Sequence, residues 1–145
     1  MIKLTRLYIG IALLFIFACQ HSNKMENYTS EIVLTNLSTI AQAYTNHESN
    51  IEVCQTGKII ALLHDDTIGL RHQRFIVELA NHQTLMIIQN IDIAPRIPNP
   101  KIGKELSFYG EYEWNQHGGV VHWTHKDSGG KHLNGWIEYN GIRYE

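Results

Sequence analysis

Cysteine, proline and charge are all scarce in this chain, and each scarcity excludes something. The 145 residues include two cysteines and three prolines, and only 18% are charged. Cys19 ends an N-terminal leader, so Cys54 is left without an internal partner and no disulfide framework is expected. Flanked by Val53 and Gln55, Cys54 is expected as a small buried apolar residue on a strand rather than a nucleophile. No G-x-S-x-G, no glycine-rich phosphate loop and no H-E-x-x-H occurs, so no ready-made nucleophilic triad, nucleotide cradle or zinc-protease helix is spelled out. The net charge is −2, and loss of Lys3 and Arg6 with the leader makes the remainder more acidic. Such a surface offers no long-range attraction for nucleic acid, though a short strand in a local groove is not forbidden.

The first residues follow a logic of their own. Lys3 and Arg6 precede Leu7–Ala18 (LYIGIALLFIFA), which carries no charge and falls short of the roughly 20 apolar residues a bilayer span requires. A positive start, a short apolar run and a small residue before the break predict a signal peptide over residues 1–18. Ile16-Phe17-Ala18-Cys19 resembles the lipobox of bacterial lipoproteins, with Cys19 as the lipidated residue. The implied placement is the periplasm or cell envelope, with the membrane reached through that lipid. Residues 19–29 then predict a polar tether, and residues 30–145 a single domain.

Hydrophobic residues make up 43% of the chain, enough for a packed core. Val33, Leu37, Ile40, Ala41 and Tyr44 recur at helical spacing, predicting one helix over residues 30–46 with Ser30 as its cap. From residue 51 the period changes to two. Ile51–Leu63 predicts a strand, or two with a bulge at Gly57. Arg71–Leu79 alternates, with Gln73, Phe75, Val77 and Leu79 on one face. Thr84–Asn90, Glu105–Trp114 and Val120–Thr124 read as further strands. All three prolines fall in residues 91–103, which predict an ordered loop. Asn140-Gly141 marks a closing hairpin. The expected fold is mainly β: a small antiparallel barrel, OB-fold-like, with one N-terminal helix.

Most of the nine histidines lie between His64 and His132. His122, His125, Asp127 and His132 supply the imidazoles and carboxylate of a possible divalent-metal site; otherwise they hydrogen-bond across a polar rim. His122 and His125 converge only where the strand ends between them, because residues three apart on a strand point oppositely. His72, Arg74 and Glu78 share a face, where Arg74 could hold an anion or form a cross-strand pair with Glu111 or Glu113. Asn90, Asp92 and Arg96 sit in the proline loop, where short polar side chains also brace backbone. Trp123 and Tyr109 are the aromatic ligand candidates.

Several phrases in one order carry a resemblance over about residues 52 to 144: His72-Gln73-Arg74-Phe75, Asn90-Ile91-Asp92-Ile93-Ala94-Pro95-Arg96, Gly110-Glu111-Tyr112-Glu113-Trp114-Asn115, Gly118-Gly119-Val120-Val121-His122-Trp123-Thr124-His125 and Gly135-Trp136-Ile137. The chain resembles a family of short exported bacterial proteins classified as a domain of unknown function. Gln89 stands where that pattern has histidine, and Ser128 where it has proline. The resemblance implies no activity. It directs attention to His72, Arg74, Asn90, Asp92, Arg96, Glu111, Glu113, Asn115, His122, His125, Asp127 and His132. Two readings follow: an envelope binding module for an oligosaccharide, a short nucleic acid or a protein, needing no cofactor, or a small metal-assisted hydrolase of phosphodiesterase type.

Overall fold

A computed structural model describes residue 37 and residues 39–145. The leader, Cys19, the tether and Ser30 lie outside the described residues. Residues 39–46 are helical and form α1, which buries Ile40 and Ala43 completely. Seven strands follow: β1 (Ile51–Asp66), β2 (His72–Glu78), β3 (Thr84–Asn90), β4 (Glu105–Glu113), β5 (Val120–His122), β6 (Trp136–Tyr139) and β7 (Ile142–Tyr144).

The sheet order β1-β2-β3-β5-β4 closes on itself because β1 also pairs with β4. This five-stranded ring, with β3 and β5 parallel and the other pairs antiparallel, is the small β fold of OB type. Closure removes the free sheet edges that a domain of this size could not otherwise cover. It depends on the length of β1, whose 16 residues serve two neighbours. Its first half, Ile51–Lys58, faces Glu105–Tyr112 of β4, and its second half faces β2.

The strand passes from one partner to the other at Lys58, which faces both Glu105 and Glu78, and the register then skips Ile60 between Ile59 and Ala61. The bulge is therefore at Ile60 and not at Gly57. Gly57 pairs regularly with Leu106, and the residue is small for a different reason: an added Cβ would lie 2.9 Å from the Val77 side chain. Cys54 also departs from expectation, being exposed. Period two forces this, since Val53 and Gln55 on either side both face inward. Partial burial pushes the Cys54 thiol up, away from the thiolate form a nucleophile needs.

The alternation read from sequence holds elsewhere. Gln73, Phe75, Val77 and Leu79 are buried, as are Leu106, Phe108 and Tyr112. The proline loop, residues 91–104, lays Ala94 and Ile97 onto the core; Gln73 holds it by accepting from the Ile97 N–H and donating to its carbonyl, both at 3.0 Å. Trp114 lies against α1, where its indole N–H donates to the Tyr44 carbonyl at 3.1 Å. β6 continues beside β4 through Ser107–Tyr109, and β7 returns across Asn140-Gly141, both at positive φ as a tight two-residue turn requires. No helix among the described residues is long and apolar enough to cross a membrane.

Candidate functional site

The β4–β5 hairpin builds the centre of the site. Its turn, residues 115–119, is set by Asn115, whose side-chain oxygen accepts from the His117 and Gly119 N–H groups at 2.8 and 3.2 Å. Gly119 is held at φ 105, with the Tyr112 ring occupying the space a side chain would need. The resulting register places Glu111 opposite His122 and Glu113 opposite Val120. Glu111, Glu113 and His122 thus come together on the outer face of two neighbouring strands.

His122 Nε2 lies 3.6 Å from Glu111 Oε1 and 3.8 Å from Glu113 Oε1. The atom is buried and has no hydrogen-bond partner. The three ligating atoms all fall within 4.8 Å of one another, an arrangement able to hold a metal ion. Burial pushes the His122 imidazole below its ordinary range, outweighing the two carboxylates that pull it upward. The ring is thereby kept in the neutral form that can donate a lone pair. No lysine or arginine among the described residues pairs with Glu111 or Glu113. Glu52 stands beside Glu111 across the β1–β4 ladder and accepts a 2.9 Å hydrogen bond from the Tyr109 hydroxyl.

β5 ends at His122, and the chain leaves it in a strained conformation. Trp123 has φ 53, a region that bulky side chains seldom enter. The surroundings hold it there. The Thr124 hydroxyl lies 2.7 Å from Ile88 O and 2.5 Å from Gln89 Oε1, while a Cβ on Gly135 would collide with the Trp123 carbonyl. The Trp123 indole stacks on His132 at 4.1 Å, with His122 tilted at 5.2 Å and His125 edge-on at 6.1 Å. An open concavity of about 490 Å³ lies here, lined by Glu111, Trp123, His125, Asp127 and His132 together with Ile93, Lys126, Ser128 and Lys131.

The loop beyond Trp123 is organised by Asp127. Its carboxylate accepts from the N–H groups of His132 and Gly129, both at 2.8 Å, and from that of Lys131. Those bonds, the His132 N–H foremost, hold the Asp127 carboxyl below the usual carboxylate range. Asp127 therefore serves the loop, and the cluster that converges on His122 contains Glu111 and Glu113, not Asp127. His125 and His132 meet edge-on at 5.0 Å beside it.

The remaining candidates lie apart from this centre. Arg74 donates twice to the His64 carbonyl, at 3.1 and 2.8 Å, and makes no pair with Glu111 or Glu113. The reason is topological: β2 borders β1 and β3, and β4 lies on the far side of β1. Asn90 accepts from the Asp92 N–H, Asp92 pairs with Arg71 at 2.6 Å, and Arg96 pairs with Asp65. The backbone and side-chain N–H groups of Arg71 hold the Asp92 carboxyl low. His72 sits opposite Asn90 at the end of the β2–β3 ladder.

The family model of a protein of unknown function, DUF3465, matches residues 24–145. The chain belongs to the DUF3465 family. The match takes in α1, all seven strands and every residue of the rim. No curated protein and no solved structure matches the chain. Within this DUF3465 chain, Ile93, Lys126 and Lys131 line the concavity without having been named as candidates from sequence. Glu111, Glu113 and His122 had been, but not as one set. The signal that unites them is the turn at residues 115–119: folding GEYEW back on VVHW about it sets alternate residues of the two strands side by side.

Proposed function

We propose that the protein is an exported binding module of the bacterial envelope, tethered through a lipid on Cys19, whose rim holds a divalent metal ion and takes its ligand in the concavity beside Trp123. The leader and the Ile16–Cys19 phrase support export and tethering. One observation carries the metal: a buried imidazole nitrogen without a hydrogen-bond partner, facing two carboxylates that no described lysine or arginine pairs with. A bound cation would remove the repulsion between Glu111 and Glu113 and satisfy His122 at once. Two carboxylates with one imidazole suit zinc, manganese or ferrous iron better than magnesium or calcium, which favour all-oxygen sites.

Calorimetric titration of chelator-stripped protein with Zn²⁺ or Mn²⁺ tests this. One ion per chain is expected. His122→Ala and Glu111→Gln should each weaken binding about 10- to 100-fold. Absence of heat, together with a melting temperature indifferent to metal and chelator, removes the metal.

Glu111 belongs to both the cluster and the concavity, which favours a second reading, metal-assisted hydrolysis. Three protein ligands leave coordination positions for a water and a substrate oxygen. Turnover of a chromogenic phosphodiester that stops on chelation would select it over binding alone.

A further inference from the structure

We infer that the concavity takes a polyhydroxylated, uncharged ligand, a saccharide, and presents its vicinal hydroxyls to the metal. The inference rests on the metal reading above and adds the ligand's chemical class. It comes from counting donors and acceptors around the space.

His125 Nδ1 lies 2.9 Å from the Lys126 carbonyl, and His132 Nδ1 lies 2.6 Å from the Leu133 carbonyl. A carbonyl only accepts, so each Nδ1 carries the hydrogen. In the neutral ring Nε2 is then an acceptor, and that of His132 also faces an Asp127 oxygen at 3.9 Å. The Glu111 carboxylate also accepts. Asp127 brings negative charge, with its oxygens already engaged by three backbone N–H groups. Of the two lysines on the concavity, Lys126 is held by Glu145 at 2.6 Å, which leaves Lys131.

A phosphate or a nucleic-acid backbone needs several N–H donors or cations converging on its oxygens. Beyond the metal, this space offers one ammonium against several acceptors. A sugar hydroxyl fits better: its oxygen can ligate the metal while its proton goes to an imidazole Nε2 or to Glu111. Two adjacent hydroxyls can do so together. Trp123 and Ile93, 37% and 55% exposed, give the ring's C–H surfaces an apolar wall.

The test uses the full mature chain. Metal uptake is measured first and alone, by calorimetry. Tryptophan fluorescence of the loaded protein is then followed during titration with methyl mannoside, with its 2,4-dideoxy analogue, which has no vicinal hydroxyls left, and with inorganic phosphate. The mannoside is expected to bind only in the presence of metal, and about ten-fold more tightly than the dideoxy analogue. His132→Gln should weaken it. Phosphate binding that depends on Lys131, with no response to either sugar, would overturn the saccharide and leave the metal standing. Equal affinity for the two sugars would likewise overturn chelation by the diol. A calorimetric arm without metal uptake would overturn the parent reading, and this one with it.

Discussion

At the scale of single residues, the environment of His122 makes the site sensitive to acid. Burial lowers its proton affinity in the folded chain, while Glu111 and Glu113 raise it and His132 lowers it further; the net direction is down. In the unfolded chain the ring titrates near about 6.5. Above that pH neither state binds the proton and the shift has no effect. As pH falls below it, the unfolded state takes up a proton that the folded state resists, so stability is lost as pH drops toward the folded value. Chelator-stripped protein should therefore melt progressively lower from pH 7 to pH 5. His122→Gln should flatten that slope; an unchanged slope in the variant would assign the acid sensitivity to another group. Tyr112 presents the opposite case. Burial and then the neighbouring Tyr44 push its phenol up to about 12, so it stays a neutral core ring whose hydroxyl donates to the Gly118 carbonyl at 3.3 Å.

At the scale of elements, the close approach at Gly135 locks the loop to the barrel. A methyl group there would meet the carbonyls of Trp123 and Tyr109, both backbone atoms that cannot swing aside. Gly135→Ala is expected to cost about 1–3 kcal/mol, read as a lowered urea midpoint, and to shift Trp123 emission. A variant as stable as the parent would show that the loop accommodates the change freely. Elements were the most legible level of the sequence. Alternation in HQRFIVE and ELSFYGEYE predicted which side chains face inward, because a strand buried on one face leaves a period of two. The proline loop and the Asn140-Gly141 turn were equally plain. Pairing between elements was not legible. Arg74 and Glu111 carry opposite charges on strands, yet nothing local states that β1 lies between them. Glycine suggests a bulge at Gly57, whereas the register skips at Ile60, two residues past Lys58, where the partner changes. Cys54 was misplaced by residue type, and its position in the alternation would have placed it correctly.

At the scale of the whole molecule, α1 and the ring share one core. Ile40 is fully buried among residues from several strands, so Ile40→Ala should cost about 2–5 kcal/mol by chemical denaturation. A negligible change would mean that the helix adds little to the barrel. The proposed lipid tether makes a separate prediction. Cys19→Ser should move the protein from the membrane fraction to the soluble fraction of the envelope, and retention in the membrane would exclude the lipid as its tether.

The double role of β1 has a consequence for biosynthesis. A ribosome delivers the N-terminal half first, so β1, β2 and β3 can join while β4 and β5 are still to come. Until residues 105–122 arrive, the outer edges of β1 and β3 remain open, each a template for pairing with another chain. Glu111, Glu113 and His122 sit within that late segment. A nascent chain halted near residue 100 would thus be both unable to bind and prone to stick to its neighbours.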